Sequence, residues 1–180
     1  MNEIFKDVRP MDAVLATGLT ALGAVLMVMN INADPADTKD LQHAITNQNW
    51  LMLPVFLLTT IPVLWRRRNV VAVSLASAVF MGAHVLAFDW VIRCGAALPL
   101  SFVLAYSVGK LADRRETYAG IAVVIAGQFL SLVKDSAAGL GVLPFTAAIA
   151  LVAWGIGLFV RQQIAKRADQ AAEPPARVHT

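Results

Sequence analysis

Cys94 is the only cysteine in the chain. That excludes an intrachain disulfide and a thiolate metal cluster. A lone thiol at a helix end is most often a small buried hydrophobe, with a redox role as the alternative. Charge is scarce as well. Asp, Glu, Lys and Arg make up 15% of the residues, against about 25% in ordinary soluble domains. None lies near the centre of a long apolar run, where ion-coupled transporters and pumps keep costly charges for function. Active transport is therefore disfavoured. Also missing are a phosphate-binding glycine loop, a His-Glu-x-x-His and a Gly-x-Ser-x-Gly. On this reading the chain is not an enzyme, and no catalytic, cofactor-binding or metal residue is assigned. No repeat of 20–50 residues is visible either.

What is abundant is apolar surface. At 58% apolar residues and a mean hydropathy of +0.64, the chain exceeds the roughly 45–50% of soluble domains. Six apolar stretches approach the roughly 20 residues that cross a bilayer as a helix. They run over residues 11–31, 49–65, 70–88, 94–109, 117–133 and 142–160. The expected fold is an all-α integral membrane protein, a six-helix bundle over 11–160. A cytoplasmic segment, 1–10, precedes it, and a helix extension with a disordered tail, 161–180, follows. For the first span the alternative is a signal peptide cut after Ala33.

The connecting segments alternate in charge. Twelve of the fifteen Lys and Arg residues fall on one side of the pattern, leaving Lys39, Arg93 and Lys134 on the other. That division puts both termini in the cytoplasm of a bacterial inner membrane, with Arg66, Arg67, Arg68, Arg114 and Arg115 as topology anchors. The net charge of +3 and pI of 9.4 follow from these loops, so nucleic acid is not an expected partner. The expected partners are the lipid bilayer, a second copy, or a membrane or cytoplasmic signalling protein.

Individual spans carry further expectations. The loop over 32–48 is long enough for a short helix around Thr38–Thr46, capped by Asp37. Pro54 and Pro62 should bend the second span, and Trp50 and Trp65 mark its interfaces. Ser74, Ala78 and Gly82 share one helix face open to close packing, or recur by chance in an Ala-rich helix. The last helix should continue through residues 161–172 and stop at Pro174-Pro175.

Among polar side chains, His84 stands out, two turns after Ser77 on the same face. At similar depth lie Gln128 and Ser131, and the three form a candidate polar cluster. It is either glue between helices or a ligand pocket whose imidazole titrates near neutral pH. His43 with Asp37 and Asp40 matches no strong metal pattern. Asp89, Arg93, Lys134 and Asp135 read as solvated loop charges, with a ligand-site rim as the alternative.

Several short motifs carry a resemblance. Arg9-Pro10-Met11-Asp12-Ala13 opens the first span, and Pro62-Val63-Leu64-Trp65-Arg66-Arg67-Arg68 closes the second. Tyr106-Ser107-Val108-Gly109 precedes the Asp113-Arg114-Arg115 hairpin, and Trp154-Gly155-Ile156-Gly157 leads into Arg161-Gln162-Gln163. Over residues 9–170 this order resembles the N-terminal membrane region of actinobacterial-type sensor histidine kinases. In that family the last helix runs on into a dimerisation helix pair bearing the phosphorylated histidine, followed by an ATP-binding domain. Here Pro174-Pro175 interrupts that continuation, no Glu-Leu-His-Asp-like box follows, and Asn69-Val70-Val71 lacks the family's proline. No catalytic residue carries over. The resemblance implies a sensor-like or accessory module without its kinase, alone or beside a separate partner. A small-solute channel or transporter subunit is the alternative, and a structural subunit of a membrane complex is another.

Overall fold

The structure, a computed structural model, describes residues 8–34, 38 and 40–172. Among them there are six α-helices and no strand. They are α1 (Pro10–Ile31), α2 (Met52–Thr60), α3 (Val70–Phe88), α4 (Cys94–Leu111), α5 (Glu116–Val133) and α6 (Leu143–Ala172). Short 3-10 helices, Ile61–Trp65 and Leu140–Val142, follow α2 and precede α6. Five of the helices are long and apolar enough to cross a membrane, and Met52–Trp65 is shorter. The outside of the bundle fits a membrane protein. Val14, Val25 and Met29 on α1, and Phe145, Val152 and Phe159 on α6, are all exposed, too much apolar surface for a monomer in water.

Despite its length, the second segment runs the whole way back along α1. At one end Gln48 Nε2 donates to the Ala33 carbonyl. At the other, Arg66 and Arg67 reach Asp12 in the first turn of α1. Two prolines act differently along it. Pro54 sits in the first turn of α2, where a missing N–H costs little. Pro62 falls where the α-helix gives way to 3-10 geometry at Ile61, whose larger rise per residue stretches the segment. Pro99 lies inside an unbroken α4.

The core has two layers. Toward the arginine-rich end, Leu19, Val63, Val73, Leu104, Val108 and Val124 pack together. Toward the opposite end, Met27, Met52, Phe56, Met81, Phe88 and Val91 do so. Glycines set the closest approaches. A Cβ on Gly109 of α4 would overlap the Trp154 carbonyl oxygen of α6, and one on Gly157 would overlap the Tyr106 carbonyl oxygen of α4. The two helices therefore touch backbone to backbone.

The loop before α2 departs from expectation. Its described residues from 40 to 49 are not helical. Their amides bond to other loops: His43 N–H to the Ser136 carbonyl at 3.2 Å and Thr46 N–H to the Trp90 carbonyl at 3.0 Å. Cross-loop pairing takes the groups that a helix around Thr38–Thr46 would have used internally. Asp37, its expected cap, lies outside the described residues, as do Pro174-Pro175 and the tail. The sixth helix starts at Leu143 and runs on to Ala172 without a break.

Candidate functional site

The segments joining α3 to α4 and α5 to α6 meet at the end opposite Arg66, Arg67 and Arg68. Val91 and Asp135 form an isolated parallel bridge, and Asn30 of α1 clamps Ile92, accepting from its N–H at 2.9 Å and donating to its carbonyl at 2.8 Å. At the centre Arg93 is completely buried. Its Nε donates to His84 Nδ1 at 3.0 Å, one Nη to the Lys134 carbonyl at 2.7 Å, and the other to the Asp89 carbonyl at 2.6 Å. One guanidinium thus joins α3 and the loops on both sides. Burial pushes it down to about 10, while Asp135 and Asp89 hold it up, so it stays charged at neutral pH.

Asp135 is equally buried. One carboxylate oxygen accepts the Arg93 and Cys94 N–H groups at 2.6 and 2.7 Å. The other accepts those of Ala137 and Ala138 at 3.0 and 2.8 Å. The carboxylate thereby caps the N-terminus of α4 from a distant loop, where the free N–H groups and the helix dipole favour an anion. Asp89 at the end of α3 takes φ 49 and ψ −132, a region nearly confined to glycine and strained for an aspartate.

These positions correct the expectation of solvated charges. Only the Asp89–Lys134 pair, 2.8 Å apart and half-exposed, is a surface contact. Arg93 and Asp135 are buried because their hydrogen bonds replace lost water, as an interior charge requires.

The expected polar cluster is divided among different contacts. His84 is buried against Arg93, with the Phe56 and Phe88 rings at 5.4 and 4.8 Å. Gln128 instead donates to Ser101 Oγ of α4 at 2.9 Å and to the Thr146 carbonyl of α6 at 3.3 Å. Ser131 donates within its own helix, to the Gln128 carbonyl. Ser74 and Ala78 are buried, a Cβ on Gly127 of α5 would meet Ala78, and one on Gly82 would meet Leu130 of α5. That face is occupied inside the bundle. The His43 ring lies tilted against Trp90, ring centres 3.8 Å apart.

A second charged cluster lies at the other end. Asp12 is fully buried. It binds Arg66 through Nε at 2.8 Å and Nη2 at 2.7 Å, and Arg67 through Nε at 2.6 Å. It also accepts the Arg9 N–H at 3.1 Å, closing the first turn of α1. Arg66 Nη1 continues to Ser107 Oγ of α4 at 3.1 Å. Arg68, Arg114 and Arg115 are exposed. Arg66 and Arg67, expected as topology anchors, therefore hold three segments together. The sequence offers Asp12 only as part of a motif, yet a carboxylate in the first turn of an apolar span signals a partner. We expect Asp12→Asn to cost about 1–3 kcal/mol, because one oxygen that accepts from arginine becomes a donor. Thermal unfolding in lipid nanodiscs should show a fall of several degrees, and an unchanged midpoint would rule out this ion pair as a fastening.

Both clusters and most of the bundle fall within a single family match. The family described as Domain of unknown function (DUF7134) matches residues 8–163. The chain belongs to this family. No curated protein and no solved structure matches the chain. The DUF7134 match opens just before Arg9 and closes inside α6, so it takes in Asp12, Arg66, Arg93 and Asp135. Nothing in the match ties DUF7134 to sensor histidine kinases.

Proposed function

We propose that the chain is a signal-receiving module of the bacterial cytoplasmic membrane that passes a change in helix packing to a separate partner. It crosses the membrane six times with both termini in the cytoplasm, as the twelve-to-three division of basic residues favours. The observation that carries this reading is α6. Its 30 residues make a rod of about 45 Å, longer than the roughly 30 Å hydrocarbon core. The surplus projects at the arginine-rich end.

α4 connects the two ends of the bundle. Its N-terminus is held by Asp135 beside Arg93, and its other end meets α6 at Gly109 and Gly157. As α6 leaves the bundle, Arg161 donates to the Ala112 carbonyl just beyond α4. A stimulus that favours one of two packings at the far end would shift α4 and, through it, the projecting part of α6. The solute-passage alternative has less support. Pro99 leaves α4 unbroken and Pro54 lies in a first turn, so of the three prolines only Pro62, at the change to 3-10 geometry, accompanies a helix break of the transporter kind.

A photo-crosslinking residue at Ile164, exposed on the projecting part of α6, tests the proposal in native membranes. Capture of a histidine kinase or response regulator is the expected result. Capture of a transporter subunit, or incorporation of phosphate into a histidine of the purified chain given ATP, would overturn it. An impermeant maleimide added to intact cells checks the orientation in a Cys94→Ala background. Gln48→Cys should label and Arg114→Cys should not.

A further inference from the structure

Ser77, in the middle of α3, is 4% exposed, and its hydroxyl has no hydrogen-bond partner. It faces a cavity of about 30 Å³ between α3, α4 and α5, whose walls also include Ser74 and Ser101. Met81, Leu100, Leu104 and Val124 supply much of the apolar remainder. An unpartnered hydroxyl at such depth is costly, and the mostly apolar space beside it has room for a small polar partner.

The other two hydroxyls define its chemistry. Ser74 Oγ donates to the Val70 carbonyl at 2.9 Å, so its remaining capacity is as an acceptor. Ser101 Oγ donates to the Leu98 carbonyl at 2.7 Å and accepts from Gln128 at 2.9 Å, leaving one lone pair. The cavity therefore offers one hydroxyl donor, from Ser77, and two acceptors. That set complements a molecule with two donors and an acceptor. A water needs roughly 10–15 Å³ of such space and typically makes about three hydrogen bonds. We propose that this cavity is a binding site for internal water, held by Ser74, Ser77 and Ser101 at the joint of α3, α4 and α5.

Isotope-labelled protein in lipid nanodiscs tests the proposal by NMR. Water-to-amide Overhauser contacts at Ser77 and Ser101 are expected, and Ser77→Ala should lower the unfolding midpoint by about 2–4 °C through loss of a bond to the water. A dry cavity predicts the reverse for that variant, an equal or higher midpoint, since the substitution would remove an unpaired hydroxyl. Should Ser77→Ala not fold, xenon added to the wild-type protein gives a second readout. A water-filled cavity leaves the methyl signals of Met81 and Leu104 in place. Xenon-induced shifts of those methyls, absence of the water contacts, or a Ser77→Ala midpoint that does not fall would each overturn the proposal.

Discussion

Arg93→Ala should lower the stability of the bundle by about 3–5 kcal/mol, the usual consequence of removing one partner from a buried charged network. The side chain is fully buried, and its three bonds satisfy an imidazole nitrogen and two loop carbonyls. Alanine leaves those acceptors without their donor and takes a counter-charge away from buried Asp135. In a chain of this length the unfolding midpoint should fall on the order of 10 °C. Arg93→Lys should recover only part of the loss, because an ammonium on a flexible stem lacks the fixed fork of a guanidinium. The matching control is Lys134→Ala. That side chain meets Asp89 at the surface, where an ion pair contributes about 0–1 kcal/mol. The contrast decides the matter. Equal midpoints for Arg93→Ala and Lys134→Ala would mean that the cluster is solvated after all.

That comparison also separates what the sequence made legible from what it did not. The helices were readable because apolar runs of bilayer length leave few alternatives. Charge pairing between distant segments was not. Asp12 and Arg66 lie 54 positions apart, and Arg93 and Asp135 lie 42 apart. Nothing in helical periodicity says which loop folds over which helix end. Depth along the membrane is a one-dimensional coordinate, and it placed His84, Gln128 and Ser131 at one level. Rotation about each helix axis then turns His84 toward Arg93, and Gln128 toward Ser101 and Thr146. Proline needed context too. Inside α4 it is tolerated, whereas at Ile61–Trp65 it accompanies the change to a 3-10 helix. Arg66 illustrates the limit of a charge count, since a residue that reads as a topology anchor by pattern is a buried bridge by contact.

Gly109→Ala should be the most damaging single-methyl change, costing about 3 kcal/mol or more, at the upper end of the overpacking range. The added Cβ would overlap the Trp154 carbonyl and come within 3.1 Å of its carbon and 3.0 Å of Leu158 N. These are backbone atoms of α6, and a backbone has no rotamer with which to yield. The helices must part instead, giving up the dispersion contacts that make small-residue crossings favourable in a bilayer. Gly157→Ala should act alike from the other side, against Tyr106 O and Lys110 N. Combining the two should cost less than the sum, because the separation forced by one methyl makes room for the other. Gly155→Ala provides the control, since nothing lies within 4 Å of its added Cβ, and alanine's helix propensity should make it neutral or stabilising by up to about 1 kcal/mol. Unfolding midpoints in nanodiscs rank the three variants. If Gly109→Ala behaves like Gly155→Ala, α4 and α6 do not touch as described. If it behaves as expected, the parted helices should also uncouple the projecting part of α6. The crosslink from Ile164 to a signalling partner should then weaken even in the fraction that remains folded. A stable Gly109→Ala bundle that keeps the full crosslink would show that α4 does not carry the signal.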